Sequence, residues 1–475
     1  LNSVDHHRPS SYLLLIILST ILVLSGCSST SMNYRDIEVP PVEWSPPEFK
    51  EFDLPNGIAG LIVEDHEVPL VDFYLSFPSP SDPADKVGLA SMTGWALRNG
   101  GSVNIPADSL NYLVEFKAAS IGVSAGQEQL QVYGFCLKDD LGLLLEIARD
   151  LIDNPAYPED KIEFRRSNML EGIRRSNDNP RGIGSREIYK LLYPDHPWGR
   201  ENSTTTVNAI SRDDIMNYHN QVFQTEGAVF GVVGDITLEE AKELTSKHFG
   251  DFKGGDVAIE PLPKAGEAAK PGIYYAYKDV TQAYVYAGHR TITYDDPRSH
   301  AAQIMNYILG SGMQSILSKR IRVDEGLAYG TGSRFSAPVP IEGTFTAFAS
   351  TRLAEAGRTL GLMNEVISDY AENGPTQEQF DQALKAYVNS YVWKYESSED
   401  MLYRLVYLKW RGLPLDSPQR DLEAYQNLTI EDVKQAAKEL LHPDNMIKVV
   451  VGDKDQLDQP LESFGEVIEL DISTE

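Results

Sequence analysis

The chain has 475 residues and a formal net charge of −28 at pH 7, with 70 acidic side chains against 42 Lys and Arg. A chain of this length accommodates two or three domains with substantial cores. The excess of negative charge, with no basic patch to contact phosphates, argues against a nucleic-acid partner and against electrostatic attraction to anionic lipid.

The N-terminal stretch predicts export. Arg8 precedes an apolar run, Tyr12–Leu24, which is too short to span a membrane and is typical of a signal peptide. The run ends in L-S-G-C, which resembles the bacterial lipobox. This resemblance implies a lipoprotein signal peptide at 1–26, a lipid on Cys27 and, because Ser28 follows, sorting to the outer membrane. The alternative is an ordinary signal peptide followed by a fortuitous Cys.

The rest of the chain contains one unit twice. Ile210–Asp235 and Leu428–Asp453 each show a helix start, an amphipathic stretch, a short turn and an apolar strand ending in V-V-G-D. The predicted helix N-caps are Ser211 and Thr429, each followed three residues later by Asp. The offset is 218 residues at both ends (428 − 210 and 453 − 235), and such a gap-free match indicates an internal repeat.

The repeat sets the predicted domain boundaries. We expect a Pro/Ser-rich tether at 27–52, a first domain at 53–253, a Gly/Pro/Ala-rich linker at 254–272, a second domain at 273–466 and a tail at 467–475. Each unit opens with strands, then has a helix, a strand pair and further helices. This order predicts an α+β fold of two tandem homologous α/β sandwich domains, each a mixed sheet with helices on one face.

A short helix is predicted between Gly88 and Gly101, in the sequence GLASMTGWALRNGG, because Asn-Gly-Gly is a strong stop signal. The stretch resembles the active-site helix of the insulinase/pitrilysin-like zinc peptidases, which include the mitochondrial processing peptidase. Their pattern is G-L-A-H-x-x-E-H-x-L-x-x-G-[GT]. The framing residues are present, but Ser91 stands at the first zinc His, Gly94 at the catalytic Glu and Trp95 at the second His.

The resemblance thus implies a degenerate zinc site. Aligning LEGIRRSNDNP with the family's later ligand helix puts Gly172 at the third zinc ligand, with Glu171 one residue early. Ser is a poor zinc ligand, Gly carries no base and an indole N–H only donates, so we expect no metal or other cofactor in this chain. A helix from an unrelated fold is one alternative. A peptidase of different chemistry built on Ser91 is another, although no base can be named for it.

A second family motif survives in the sequence LGSGMQSILSKRIRVDEGLAY, which ends at Tyr329. The resemblance implies that Arg322 and Tyr329 contact a bound peptide opposite the zinc of a closed clamshell. A Tyr hydroxyl can donate to the scissile carbonyl, and a guanidinium can hold carbonyl or acidic groups. The alternative is that Arg322 is a surface residue and Tyr329 fills the core. The sequence AASIGVSA at 118–125 aligns with the strand on which the family lays its peptide, or is an ordinary sheet strand.

The resemblance covers about 53–455 and implies one half of a peptidase clamshell. The leading hypothesis is a catalytically silent subunit, lipid-anchored in the cell envelope, that pairs with a zinc-bearing subunit of the same family. The pair would bind and cleave unfolded peptides, with zinc in the partner chain and Arg322 and Tyr329 supplied by this one. The alternative is a non-enzymatic peptide-binding or scaffold lipoprotein.

Overall fold

A computed structural model describes residues 44–255 and 259–473. The predicted signal peptide, Cys27 and most of the predicted tether lie outside the described residues. Residues from Trp44 onward form one compact unit with two six-stranded mixed sheets and many helices, so the predicted α+β fold is confirmed. Within the described ranges, no helix has the length and apolar character needed to cross a membrane.

The first sheet is built from the first half of the chain. Its order is β1-β2-β6-β3-β5-β4, with β2 and β6 parallel and the other neighbours antiparallel. The strands are β1 (Phe49–Asp53), β2 (Ala59–Glu64), β3 (Leu70–Pro78), β4 (Ser120–Ala125), β5 (Gln129–Leu137) and β6 (Val229–Gly234). Because β1 is paired from residue 49, the folded unit begins before the end of the predicted tether.

The second sheet repeats this topology in five of its six strands, since its edge strand β12 is parallel to β7 whereas β1 is antiparallel to β2. Its order is β12-β7-β11-β8-β10-β9, with β7 parallel to both β11 and β12. The strands are β7 (Gly272–Tyr277), β8 (Gln282–Arg290), β9 (Ala328–Phe335), β10 (Thr344–Arg352), β11 (Ile447–Gly452) and β12 (Val467–Glu469). The predicted tail at 467–475 is therefore corrected: its first residues pair with β7 and extend the sheet by one strand.

The helices follow the same repeat. In the first half they are α1 (Leu89–Gly100), α2 (Ala107–Phe116), α3 (Leu141–Asp153), α4 (Glu159–Arg175), α5 (Pro180–Leu192), α6 (Thr204–Asn208), α7 (Arg212–Val222) and α8 (Leu238–Phe249). In the second they are α9 (Ser299–Asn306), α10 (Ala356–Asn373), α11 (Gln377–Tyr391), α12 (Ser398–Trp410), α13 (Ser417–Gln426) and α14 (Ile430–Leu440). The predicted caps of α7 and α14 are both reciprocal capping boxes, closed by Ser211 with Asp214 and by Thr429 with Asp432.

Each half lends one helix to the other half's sheet. The core of the first half lies between its own helices and one face of the first sheet, where Phe73, Leu75 and Phe230 are fully buried. The opposite face, which includes Gly231, is covered by α12 from the second half. Reciprocally, α5 packs on β8 and β11 of the second sheet. The two halves are thus joined by exchanged helices, because each sheet has an apolar face that its own helices leave uncovered.

Candidate functional site

The predicted active-site helix is present as α1 and is fixed at its N-terminus by Asp82. The carboxylate of Asp82 accepts hydrogen bonds from the backbone N–H groups of Gly88 (2.7 Å) and Ala90 (2.8 Å). These are among the N–H groups that a helix leaves without an internal partner. The opposite end stops at Gly100 and Gly101, as the sequence predicts.

The degenerate zinc positions on α1 surround an arginine. Ser91 Oγ accepts a hydrogen bond from Arg165 Nη2 on α4 at 2.9 Å. The guanidinium carbon of Arg165 lies 5.7 Å from the centre of the Trp95 ring, which also packs on Phe164 at 5.9 Å between ring centres. Residues i and i+4 share a helix face, so the two positions that would carry zinc histidines instead hold one guanidinium.

Gly94 serves packing instead of chemistry. A Cβ at this position would lie 2.9 Å from the Cβ of Ala125 and 3.5 Å from Cγ1 of Val123. The absence of a side chain therefore lets α1 approach the end of β4 closely. The zinc peptidases carry a Glu at this position. A Glu side chain here would force α1 and β4 apart.

These residues do not fit a zinc ion. Ser91 and Trp95 offer no strong ligand, and the cation already beside them, Arg165, opposes a second positive charge. Gly172 stands open on α4 with no atom within 4 Å of where its Cβ would be, and the carboxylate of Glu171 is paired with Arg174 and Arg175. Across 44–255 and 259–473, no group of three or more His, Cys, Asp or Glu is arranged to hold a metal.

Arg165 is the residue that sequence reasoning missed. Burial lowers the pKa of its guanidinium, and its Nε is buried without a hydrogen-bond partner. Its sequence context, F-R-R on an ordinary helix, gives no sign of this placement. Only the packing of α4 on α1 brings it to Ser91 and Trp95.

The second motif lies at the edge of the other sheet. Arg322 is an exposed residue of a π-helical segment, Ser318–Asp324. Tyr329 is the second residue of the edge strand β9 and is 84% exposed, so it does not fill the core. Gly326, with φ of 62°, makes the left-handed turn between them.

The glycines of this motif are explained by close packing. A second π-helical segment, Tyr307–Ser311, precedes the first and lies against β9. A Cβ at Gly310 would lie 2.1 Å from Oγ of Ser333, so no larger residue fits there. Segments of π-helix are rare. Arg322 lies within one of the two segments and Tyr329 follows it on β9.

The strand predicted to carry a peptide, at 118–125, forms β4 at the outer edge of the first sheet. Arg98 Nε donates to the carbonyl oxygen of Ile121 at 2.7 Å, which shows that the backbone of Ile121 points away from β5. In an antiparallel strand, alternate residues point their backbone groups to the same side, so Val123 and Ala125 also face this open edge.

Two residues of chemically reactive type, His196 and Cys136, have structural roles. His196 is buried, accepts a hydrogen bond from the Trp198 N–H through Nδ1 and contacts the Pro263 carbonyl oxygen through Nε2, so it fixes a turn. Cys136 is buried in β5, and burial raises the pKa of its thiol to about 12. A thiol with such a pKa stays protonated and inert at neutral pH.

Comparison with known proteins finds relatives of a peptidase family. Residues 209–387 match the family described as Peptidase M16 inactive domain. The chain is 24% identical over 398 residues to a Helicobacter pylori protein named Non-peptidase homolog YmxG, a match that covers 82% of this chain and 91% of that protein.

Solved structures share the fold. The chain is similar to a peptidase M16 inactive domain from Pseudomonas fluorescens, with a TM-score of 0.80 and 26% identity over 87% of this chain and 100% of that one. It is also similar to the periplasmic protease PqqL from Escherichia coli, with a TM-score of 0.74, 14% identity and coverage of 94% of this chain and 51% of that one. The second likeness is one of fold alone, and the two sheets together correspond to about half of PqqL.

Proposed function

We propose that this chain is a catalytically silent subunit of a split zinc peptidase, because residues 209–387 match the Peptidase M16 inactive domain and the fold is similar to a solved example of that domain. A sister chain of the same family supplies the zinc ion and the catalytic Glu. The pair binds unfolded peptides and cleaves them, and this chain forms one wall of the chamber.

The exposure of Tyr329 is the observation that carries this proposal. A tyrosine that is 84% exposed on an edge strand contributes little to folding but is free to reach a peptide held by a partner chain. Its hydroxyl donates to the scissile carbonyl, where negative charge develops in the transition state. Arg322, exposed on the adjacent π-helical segment, holds a carbonyl or acidic group of the same peptide.

In this proposal the peptide binds along the open edge of β4. Backbone groups of Val123 and Ala125 add the peptide as a further strand, a mode that needs no particular side chain. The loss of the zinc ligands from α1 therefore leaves peptide binding possible.

We place the assembly in the cell envelope, with this chain anchored by a lipid on Cys27 to the outer membrane and facing the periplasm. The L-S-G-C sequence after an apolar run supports this location, and the similar fold of PqqL belongs to a protein described as periplasmic.

The test begins with a native pull-down of the tagged chain from its own membranes, followed by sequencing of every stoichiometric partner. A partner with H-x-x-E-H and a downstream Glu is expected. In the recovered assembly, Tyr329→Phe should lower kcat for an unfolded peptide about 100-fold, as loss of one transition-state donor does elsewhere.

The matched control is Tyr277→Phe, an exposed strand-end tyrosine of the second sheet, which should leave kcat unchanged. Full activity of an intact Tyr329→Phe assembly would remove the role given to Tyr329.

A second candidate function is that of a non-enzymatic peptide-binding or scaffold lipoprotein. The name of the Helicobacter pylori relative, a non-peptidase homolog, favours it. Recovery of the chain alone, or with partners that lack H-x-x-E-H, would support this alternative. So would an assembly whose activity is unaffected by Arg322→Ala.

A further inference from the structure

Within the described part of the chain, Arg165 uses only one of its hydrogen-bond donors. A guanidinium carries five N–H donors, and in the described part of the chain Arg165 uses one of them, on Ser91, and forms no ion pair. Its neighbour Arg166 differs, because Glu163 pairs with it at 3.0 Å and the carbonyl oxygen of Ile210 accepts from it at 2.7 Å. Arg165 is thus a partly buried cation held in place but not neutralised.

The helix α1, which holds this guanidinium, also packs against β4. Ser91, Gly94 and Trp95 lie on neighbouring positions of one side of α1, since they are three and four residues apart. Gly94 contacts Ala125 at the end of β4, while Ser91 and Trp95 hold Arg165. The same surface of α1 therefore joins the cation to the open strand edge.

We propose that Arg165 forms a carboxylate-binding subsite at the Ala125 end of the β4 edge, and that it selects peptides with an acidic group at that point. The inference rests on the proposed peptide binding and adds a substrate preference to it. A guanidinium pairs with a carboxylate through two parallel hydrogen bonds, and contact with the Trp95 ring fixes its plane for that geometry. Among residues 44–255 and 259–473 no carboxylate pairs with Arg165, which leaves the position available to one from the ligand.

Two sources of carboxylate imply opposite directions of the bound strand. A peptide that runs parallel to β4 ends near Ala125, so its free C-terminus reaches Arg165. A peptide that runs antiparallel passes Ala125 with its earlier residues, so only an Asp or Glu side chain reaches it. A preference for the free C-terminus therefore indicates a parallel strand.

The test is isothermal titration of the full chain with three otherwise identical unstructured peptides. The first is neutral and amidated at its C-terminus, the second carries one central Glu, and the third has a free C-terminal carboxylate. We expect one carboxylate peptide to bind about tenfold more tightly than the neutral one, with a preference that weakens in high salt.

Variants assign the preference to Arg165. Arg165→Gln should abolish it, and Arg165→Lys should retain only part because an ammonium lacks the fork. The control Arg174→Gln, an exposed position on the same helix, should leave the preference unchanged. If Arg165→Gln fails to fold, Ser91→Ala, which frees the guanidinium, should reduce the preference about threefold.

The outcomes separate the two proposals. Equal binding of all three peptides overturns the subsite and leaves the proposed peptide binding intact. A preference that persists in Arg165→Gln, or that keeps its full wild-type size in Ser91→Ala where that is the variant that folds, also overturns the subsite. Failure of every peptide to bind contradicts the proposed function and the subsite with it.

Discussion

Each sheet is covered on one face by a helix from the other half of the chain: α12 crosses the first sheet and α5 crosses the second. These two helix crossings place equivalent tyrosines in different chemical surroundings. Tyr74 on β3 and Tyr286 on β8 hold the same position in the two sheets, and each hydroxyl donates to the helix that crosses from the other half. Tyr74 donates to Oε1 of Glu399 at 2.6 Å, whereas Tyr286 donates to the backbone carbonyl oxygen of Arg181 at 2.9 Å. The first crossing is acidic, and the second presents Arg181 over the Phe348 ring.

A glycine allows close packing at both crossings, but it lies on the strand in one and on the helix in the other. At the first it is on the strand, where a Cβ on Gly231 would lie 2.5 Å from Cγ2 of Val406. At the second it is on the helix, where a Cβ on Gly184 would lie 2.3 Å from Cε2 of Tyr286. Both crossings thus depend on a glycine that lets helix and sheet pack closely, although the glycine lies on a different partner in each.

The two edge strands β4 and β9 hold equivalent positions in the two sheets but also differ in their chemistry. At β4 the adjacent helix α1 binds Arg165 of α4 through Ser91, whereas at β9 Arg322 and Tyr329 are exposed. One topology therefore supports two surfaces of different chemistry, because side chains at an edge are not constrained by the core.

The largest expected effect on stability comes from a substitution that disrupts the packing of α12 on the first sheet. Gly231→Val forces a side chain into Val406 and Leu402, and we expect it to lower the free energy of unfolding by about 2 to 3 kcal/mol. Urea unfolding of the wild type and variant measures the change.

A double mutant sharpens this test. Val406→Ala removes the atom nearest to the new side chain, so Gly231→Val with Val406→Ala should be more stable than the two single changes predict by addition. Simple additivity would show that the clash is relieved elsewhere and that the crossing is not tight.

A smaller effect tests the acidic character of the first crossing. Burial, reinforced by the Glu399 carboxylate, raises the pKa of Asp72 to about 7, well above the value near 3.8 of an unfolded chain. The folded state then binds the extra proton, so stability is lost as pH rises from about 4 to about 7. Asp72→Asn should remove this loss.

We expect Asp72→Asn to be more stable than the wild type by about 1 to 2 kcal/mol at pH 8, after allowance for solvent screening of a partly exposed group, and nearly equal to it at pH 4. Urea midpoints at the two pH values measure the difference. A gap of the same size at both pH values would contradict the assignment to Asp72.

The smallest effect concerns a glycine that nothing crowds. Gly172 is exposed on α4 with open space around its Cα, in contrast to Gly231, so Gly172→Ala should stabilise the protein by about 0.5 kcal/mol through helix propensity. The thermal midpoint measures it. Destabilisation would show that the third degenerate ligand position has a constraint that the packing does not reveal.

Much of the architecture can be predicted from local sequence patterns. The V-V-G-D strands, the caps at Ser211 and Thr429 and the helix stop at Gly100 depend on residues near in sequence, and all were predicted. The start of β1 at Phe49 and the strand β12 at Val467 were missed, because an edge strand is stabilised by its partner more than by its own sequence.

The sequence by itself determined the repeat, the fold class and the absence of zinc-ligating side chains at Ser91, Gly94 and Trp95, because these depend on periodicity and on residue identity. Only the tertiary structure decided that α5 and α12 are exchanged between the halves and that Arg165 occupies the degenerate site. Both involve contacts between elements far apart in the chain. Such contacts follow from the packing of whole faces, which no local pattern records.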